Sequence, residues 1–364
     1  MSSDIIIIGG GVIGLLTARE FINAGATVTI IEKNEFGQES SWAGGGILLP
    51  LYPWRQSQAI TDLVIHSLKL YPELAAQLID DAGVDPEWTP CGMLITKNPD
   101  ISSAVDWCRK SHISFYDVLP EGGIGLNAVT DHPLWLPDIA QVRNPRLIKS
   151  LIQDLSNKGV KFLEHCSLSD IAIAQNRVIA LNTSAGRLAV NQLVIAAGAW
   201  TGQLFRQYFS KLITKAPEVT PVKGQMILFD ATPDTLPYMV LDGDQYLIPR
   251  RDGKILVGST VETDEFNKTI TPEARDKLWH FAVELLPALA DFPVIRHWAG
   301  LRPGTEHGIP YIGKHPEIAN LSVNAGHFRN GLAMGPASAQ LLVDIVLERS
   351  TTIVPDPYQI SRRH

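Results

Sequence analysis

Four consecutive isoleucines, Ile5–Ile8, run straight into glycine near the start of the chain. A short unbroken apolar run suits a parallel strand covered on both faces. Across Val12–Asn23 apolar residues recur at helical spacing, and Gly25 stands where a helix would stop. Residues 27–32 are rich in β-branched side chains and predict a second strand. Residues 60–79 place Leu63, Val64, Leu68, Leu74, Leu78 and Ile79 on a pattern that predicts an amphipathic helix. Near Val84 the character changes. Pro86, Trp88, Pro90 and Gly92 lead into Met93-Leu94-Ile95 and the start of a β-rich stretch. Asn144-Pro145 before and Gly159 after predict a helix at about 146–158, followed by short strands at 162–163 and within 171–181. Residues 193–200 read as a buried strand leaving through a small-residue turn. Residues 218–300 are β-rich again, with strands at 225–229, 246–249 and 255–258 and hairpin turns at Asp242-Gly243 and Asp252-Gly253. A helix fits 272–286, then a strand 321–325, a loop 326–331 and a helix 332–348.

The two characters interleave, which predicts a discontinuous α/β protein, α+β when both lobes are counted. A Rossmann-like lobe is assembled from residues 1–83, 140–217 and 297–364. Residues 84–139 and 218–296 form a second lobe around a large, mostly antiparallel sheet. With 364 residues the chain is long enough for two such cores. A net charge of −7 and the lack of any Lys/Arg tract argue against nucleic acid. Cys91, Cys108 and Cys166 are odd in number and far apart, so neither a disulfide framework nor a metal site is expected, in keeping with a reducing cytoplasm. Asp4 and the absence of a basic segment argue against a secretory signal, and residues 5–16 are too short and glycine-rich for stable membrane insertion.

The glycines after the first strand have the spacing Gly9-x-Gly11-x-x-Gly14, and Glu32 ends the second strand. In a strand–turn–helix setting, Gly9 permits the tight turn, Gly11 lets backbone N–H groups reach a pyrophosphate, and Gly14 lets helix and strand pack closely. The helix start, Val12 and Ile13, offers free N–H groups and a positive dipole end. Glu32 suits a ribose hydroxyl, and an acid there argues against the 2′-phosphate of NADP. Only one such fingerprint is present, and free NAD leaves residues 40–46 unexplained. The hydroxyls of Ser40 and Ser41 and the bare backbone of Gly44, Gly45 and Gly46 suit a pyrophosphate and a flavin ring. A flexible surface loop is the plain alternative, which the flanking Trp42, Ile47, Leu48 and Leu49 disfavour.

These segments occur in order with Val222-Lys223-Gly224-Gln225, Tyr246-Leu247-Ile248-Pro249-Arg250, Trp298-Ala299-Gly300-Leu301-Arg302-Pro303-Gly304 and Gly326-His327-Phe328-Arg329-Asn330-Gly331. With them the chain resembles the FAD-dependent D-amino-acid oxidase family from about residue 4 to about 348. The similarity is to its glycine oxidase branch, of thiamine thiazole biosynthesis. The resemblance implies a homo-oligomer with FAD and oxidation of glycine, sarcosine and small D-amino acids to the imine. O2 then becomes peroxide, and water releases glyoxylate and ammonia. No cysteine lies in residues 308–313, where related sarcosine oxidases attach flavin, so the FAD is expected to be non-covalent. The cofactor set is completed by Lys33, Leu168, Ala197, Gly198, His327, Phe328, Arg329, Asn330, Gly331 and Leu332.

The flavin carries the hard step, hydride removal from Cα, so the protein mainly orients the substrate. Arg302 suits the carboxylate through its planar fork, and the Gly/Pro-framed segment around it reads as a rigid loop. Taken alone, Arg302 reads rather as a surface or interdomain ion pair, and the family segment around it reverses that preference. Tyr246 suits a second hydrogen bond to the same carboxylate, or a place in the core. Arg329 is the third substrate-binding residue. No dedicated base is required if the amine binds neutral. His327 reads as a loop histidine beside Arg329. Asp244 shares a strand face with Tyr246 and suits the substrate amine or a hairpin turn. Tyr52 and Trp54, within 50–55, suit a lid or a proline-fixed connection. Rival readings are a D-amino-acid dehydrogenase serving a quinone, an FAD-binding protein without turnover, and an NAD-dependent dehydrogenase.

Overall fold

A computed structural model describes residues 3–98, 100–120, 124–127, 132–210, 212–263 and 265–362. Its strands are β1 (Ile5–Ile8), β2 (Val28–Ile31), β3 (Met93–Ile95), β4 (Leu134–Leu136), β5 (Lys161–Leu163), β6 (Leu168–Ala174), β7 (Arg177–Thr183), β8 (Gly186–Ala189), β9 (Gln192–Ile195), β10 (Thr220–Phe229), β11 (Met239–Asp242), β12 (Gln245–Pro249), β13 (Ile255–Gly258), β14 (Val294–Gly304), β15 (Tyr311–Lys314) and β16 (Leu321–Ala325). Its helices are α1 (Val12–Asn23), α2 (Glu39–Ala43), α3 (Gln58–Ala82), α4 (Ile101–Ser111), α5 (Asn144–Asn157), α6 (Thr201–Tyr208), α7 (Pro272–Leu285) and α8 (Gly331–Val346).

The first sheet has the order β15-β16-β9-β1-β2-β5 and is parallel apart from β15. Its central strand explains the isoleucine run. Ile5 and Ile7 pack with Leu15, Phe21 and the face covered by α1, α3, α5 and α8. Ile6 and Ile8 point the other way, among Leu193, Ile195, Phe205 and Phe209. With both faces buried, alternation gives way to a continuous apolar strand. The small sheet β6-β7-β8 contributes Ile171, Val178 and Leu181 to this second face.

The second sheet has the order β14-β10-β13-β12-β11-β3-β4 and is antiparallel except between β11 and β3. Its side chains alternate. Ile227, Leu247 and Val257 pack against Leu278, Ala282 and Leu285 of α7. Met226, Tyr246 and Ile248 face the first lobe instead. Strand β14 runs across position 297, the border expected from the sequence, and ends at Gly304.

Three local readings need correction. Arg302 lies on strand β14, paired Val222↔Arg302 with β10, not in a loop. β14 is an edge strand, where a proline such as Pro303 is tolerated. Residues 40–46 begin inside the short helix α2 rather than forming an open turn. Ile79, expected on the apolar face of α3, is 44% exposed. Helix α4 and strand β4 were not foreseen. The helix buries only Ala104 and Cys108, too few positions to print a helical pattern. Among the described residues no helix is long and apolar enough to cross a membrane.

Candidate functional site

The site grows from the β1–α1 turn. Gly9 has φ +114°, and a side chain there would collide with the Ala196 carbonyl on β9's exit. A Cβ on Gly14 would strike the Gly9 carbonyl, so helix and strand meet at backbone distance. Helix α1 has no acidic residue in its first turn. Its N-terminal dipole is left to act on an outside anion. The Val12 N–H is not free, contrary to the expectation from the sequence: it donates to Ser41 Oγ at 2.9 Å, which brings α2 against the helix start. Glu32 is held from below, accepting from Gly10 N–H at 2.9 Å and Asn34 N–H at 3.0 Å. Each of its oxygens retains a lone pair for a further donor. The Lys33 ammonium sits 4.6 Å from the centre of the Trp200 ring.

A cavity of about 380 Å³ connects these groups to the face of the second sheet. It begins at Gly9, Gly11, Val12, Ile13, Glu32 and Lys33, and passes Leu168, Ala197, Gly198 and the stretch Ser40, Ser41, Gly44, Gly45, Gly46. It reaches His327, Phe328, Arg329, Asn330, Gly331 and Leu332, and ends at Tyr246 and Arg302. Of the cofactor- and substrate-binding residues expected from the sequence, Gly14 alone does not line it, because its part is the close packing just described. Asp244 is exposed at the β11–β12 hairpin and does not line the cavity. Neither do Tyr52 and Trp54. Tyr52 donates to the Lys97 carbonyl at 3.0 Å and Trp54 to Asp100 at 3.3 Å, so both are tied down beside the cavity.

Arg302 is held in a clamp. Its Nη1 donates to the carbonyls of Lys223 and Thr260, each at 3.2 Å, and its Nη2 to Ser259 Oγ at 2.8 Å. A guanidinium has five N–H bonds; three go to these acceptors, and the Tyr246 hydroxyl lies within hydrogen-bonding reach of the same group. Gly224 makes this pose possible, since a Cβ there would sit inside the guanidinium. Burial pulls the Arg302 pKa below its ordinary value. Tyr246 and Glu262 oppose that shift and Arg329 adds to it. Arg329 brings a second guanidinium, whose buried Nε has no hydrogen-bond partner among the described residues. His327 is 1% exposed and its Nε2 is likewise unpartnered. Burial pushes it down to about 3, so it is neutral at ordinary pH.

A third arginine was missed. Arg250 is buried and donates to the carbonyls of Gly45 at 2.8 Å and Val142 at 3.1 Å, and to Gln141 Oε1. It ties the Gly44–Gly45–Gly46 strip to the second sheet. Gly46, with φ +86°, has no room for a side chain because Val142's carbonyl occupies the space. Ser259, Met226, Leu49 and Leu51 also line the cavity and were missed. Gly224 and Arg250, each inside a quoted segment, carried a signal.

The cradle without side chains, the helix N-terminus with no acid in its first turn and the buried unpartnered Arg329 Nε fit an elongated phosphate-bearing cofactor and an acidic substrate. Comparison with known proteins agrees. The family described as FAD dependent oxidoreductase matches residues 4–345. Glycine oxidase of Pseudomonas aeruginosa is 44% identical over 363 residues, covering 98% of each chain. The bifunctional protein ThiO/ThiG of Trichormus variabilis is 32% identical over 100% of this chain and 55% of its own length. The crystal structure of glycine oxidase from Geobacillus kaustophilus superimposes with a TM-score of 0.91 at 27% identity, covering 100% of this chain and 99% of that one.

Proposed function

The chain belongs to the FAD-dependent oxidoreductase family, and from that premise we propose that it is an oxidase of glycine, with sarcosine and small D-amino acids as lesser substrates. The observation that carries this reading is one cavity joining a dinucleotide cradle to an immobilised guanidinium. When bound, non-covalently, FAD supplies the two-electron acceptor for the substrate C–H bond and passes those electrons to O2. The Gly9–Gly14 cradle and Glu32 hold the nucleotide end. Arg302 binds the substrate carboxylate through guanidinium N–H groups outside its clamp, with Tyr246 as a further donor. Arg329 adds a second positive charge at the same end. Two cations beside the amine favour its neutral form over ammonium, so the substrate nitrogen keeps its lone pair with no protein base. Tyr246 and Met226 line this end of the cavity and crowd Gly45, where a Cβ would come within 3.2 and 3.4 Å of them.

The imine product is hydrolysed to glyoxylate and ammonia or consumed in thiazole formation. From the family resemblance the proposal extends to a homo-oligomer in the cytoplasm. Purified protein supplied with glycine in air should form peroxide and glyoxylate together. Flavin-bearing protein that forms neither would reject the activity.

A further inference from the structure

Lysine is seldom fully buried unless it is paired, yet Lys223 is 2% exposed. Residues alternate along β10, so its side chain leaves the sheet on the face opposite Gly224 and the cavity. There its Nζ meets Glu262 Oε2 at 3.2 Å. The two residues also exchange both backbone hydrogen bonds, at 2.9 and 3.0 Å. Glu262 accepts further from Thr260 Oγ1 and, at 2.9 Å, from Gln225 Nε2. Burial pushes the Glu262 carboxyl up, but hydrogen bonds from Thr260, Gln225 and Lys223 outweigh this and hold it below its usual range. The segment after β13 is thereby fastened to β10. That segment and β10 supply all three acceptors of the Arg302 clamp: the Ser259 hydroxyl, the Thr260 carbonyl and the Lys223 carbonyl.

We infer that Lys223 and Glu262 are positioning residues for the substrate carboxylate. Lying behind the sheet and touching no substrate, they fix the acceptors that aim the Arg302 guanidinium. This rests on the reading of Arg302 as the carboxylate ligand. Burying a lysine against a carboxylate whose side chain is still 31% exposed is a poor way to gain stability. The pair's place one hydrogen bond behind the guanidinium gives it a different part: the guanidinium keeps its aim only while the carbonyls keep their positions.

The test titrates glycolate, which keeps the acid end of glycine with a hydroxyl in place of the amine, into FAD-loaded protein and follows the flavin absorbance. Glu262→Gln should raise the glycolate Kd and the glycine KM about tenfold, within the range a misplaced group reaches. It should leave kcat within about twofold and FAD affinity unchanged. Lys223→Met combined with Glu262→Gln should again cost about tenfold rather than the product of the single effects, because both act through one path. Should Glu262→Gln fail to fold, Thr260→Val, which cuts the side-chain link and keeps the pair, should give a smaller rise in the same direction. Wild-type glycolate affinity in these variants, or a loss that merely tracks weaker FAD binding and a lower Tm, overturns the inference. Arg302→Met separates the two levels. If it too leaves glycolate binding intact, the carboxylate reading falls and this inference falls with it. If it abolishes binding while Glu262→Gln does not, only the positioning role is wrong.

Discussion

At the residue scale the site depends on buried cations held by neutral acceptors. Arg302 was legible because its segment resembles a family pattern; its residue type alone favoured an ion pair. Its clamp was not legible. Ser259 and Thr260 follow a β-strand with nothing in their order to say that they meet a residue some forty positions on. His327 offers a test with a definite sign. Its folded pKa lies near 3, below the ordinary 6.5, so below pH 6.5 the unfolded chain binds a proton that the folded chain refuses. The stability this histidine contributes is complete above about pH 6.5 and falls as the pH is lowered toward 3, by at most about 1.4 kcal/mol per pH unit. We expect His327→Gln to flatten the pH dependence of urea unfolding in that window. An unchanged slope would show that His327 takes up its proton in the folded state.

At the scale of elements, two glycines set distances that other residues exploit. A Cβ at Gly14 would meet the Gly9 backbone carbonyl, which cannot swing away as a side chain would. We expect Gly14→Ala to push α1 off β1 and to lower the fraction of purified protein that retains FAD, measured by the absorbance ratio at 450 and 280 nm. Gly224→Ala acts at the other end by displacing the Arg302 guanidinium. It should raise the glycine KM at least about tenfold while FAD is retained, and steady-state kinetics decide it. The βαβ unit was legible because burial on both sides of β1 makes a continuous apolar run that glycine punctuates. The strand under Arg302 was not, because Gly300, Pro303 and Gly304 read as loop punctuation. Register with β10 overrides that local signal, as tertiary pairing commonly does.

At the scale of the whole molecule, the cavity lies where the parallel sheet meets the antiparallel one, and cofactor binding is linked to folding. A ligand present at a hundred times its Kd stabilises the folded state by about 2.7 kcal/mol. For a chain of 364 residues that corresponds to roughly 3–4 °C in Tm. Thermal unfolding of apoprotein with added FAD should show this rise, and a Tm indifferent to FAD would mean that the cradle does not bind it. The interleaving of lobes was visible in the sequence as alternating α/β and β-rich stretches. The meeting of Tyr246, Arg302 and Arg329 at one end of one cavity needed the fold, since nothing in composition or spacing says which face of the second sheet looks inward. The central claim is that Arg302 pins the acid end of the substrate against the bound flavin. The most direct measurement is anaerobic mixing of FAD-loaded protein with increasing glycine, following the loss of flavin colour, for the wild type and Arg302→Met. A charge-assisted hydrogen bond of about 1.5–3 kcal/mol means that the variant should need roughly 10- to 150-fold more glycine to reach half its maximal rate. The same glycine dependence in both proteins would contradict the account.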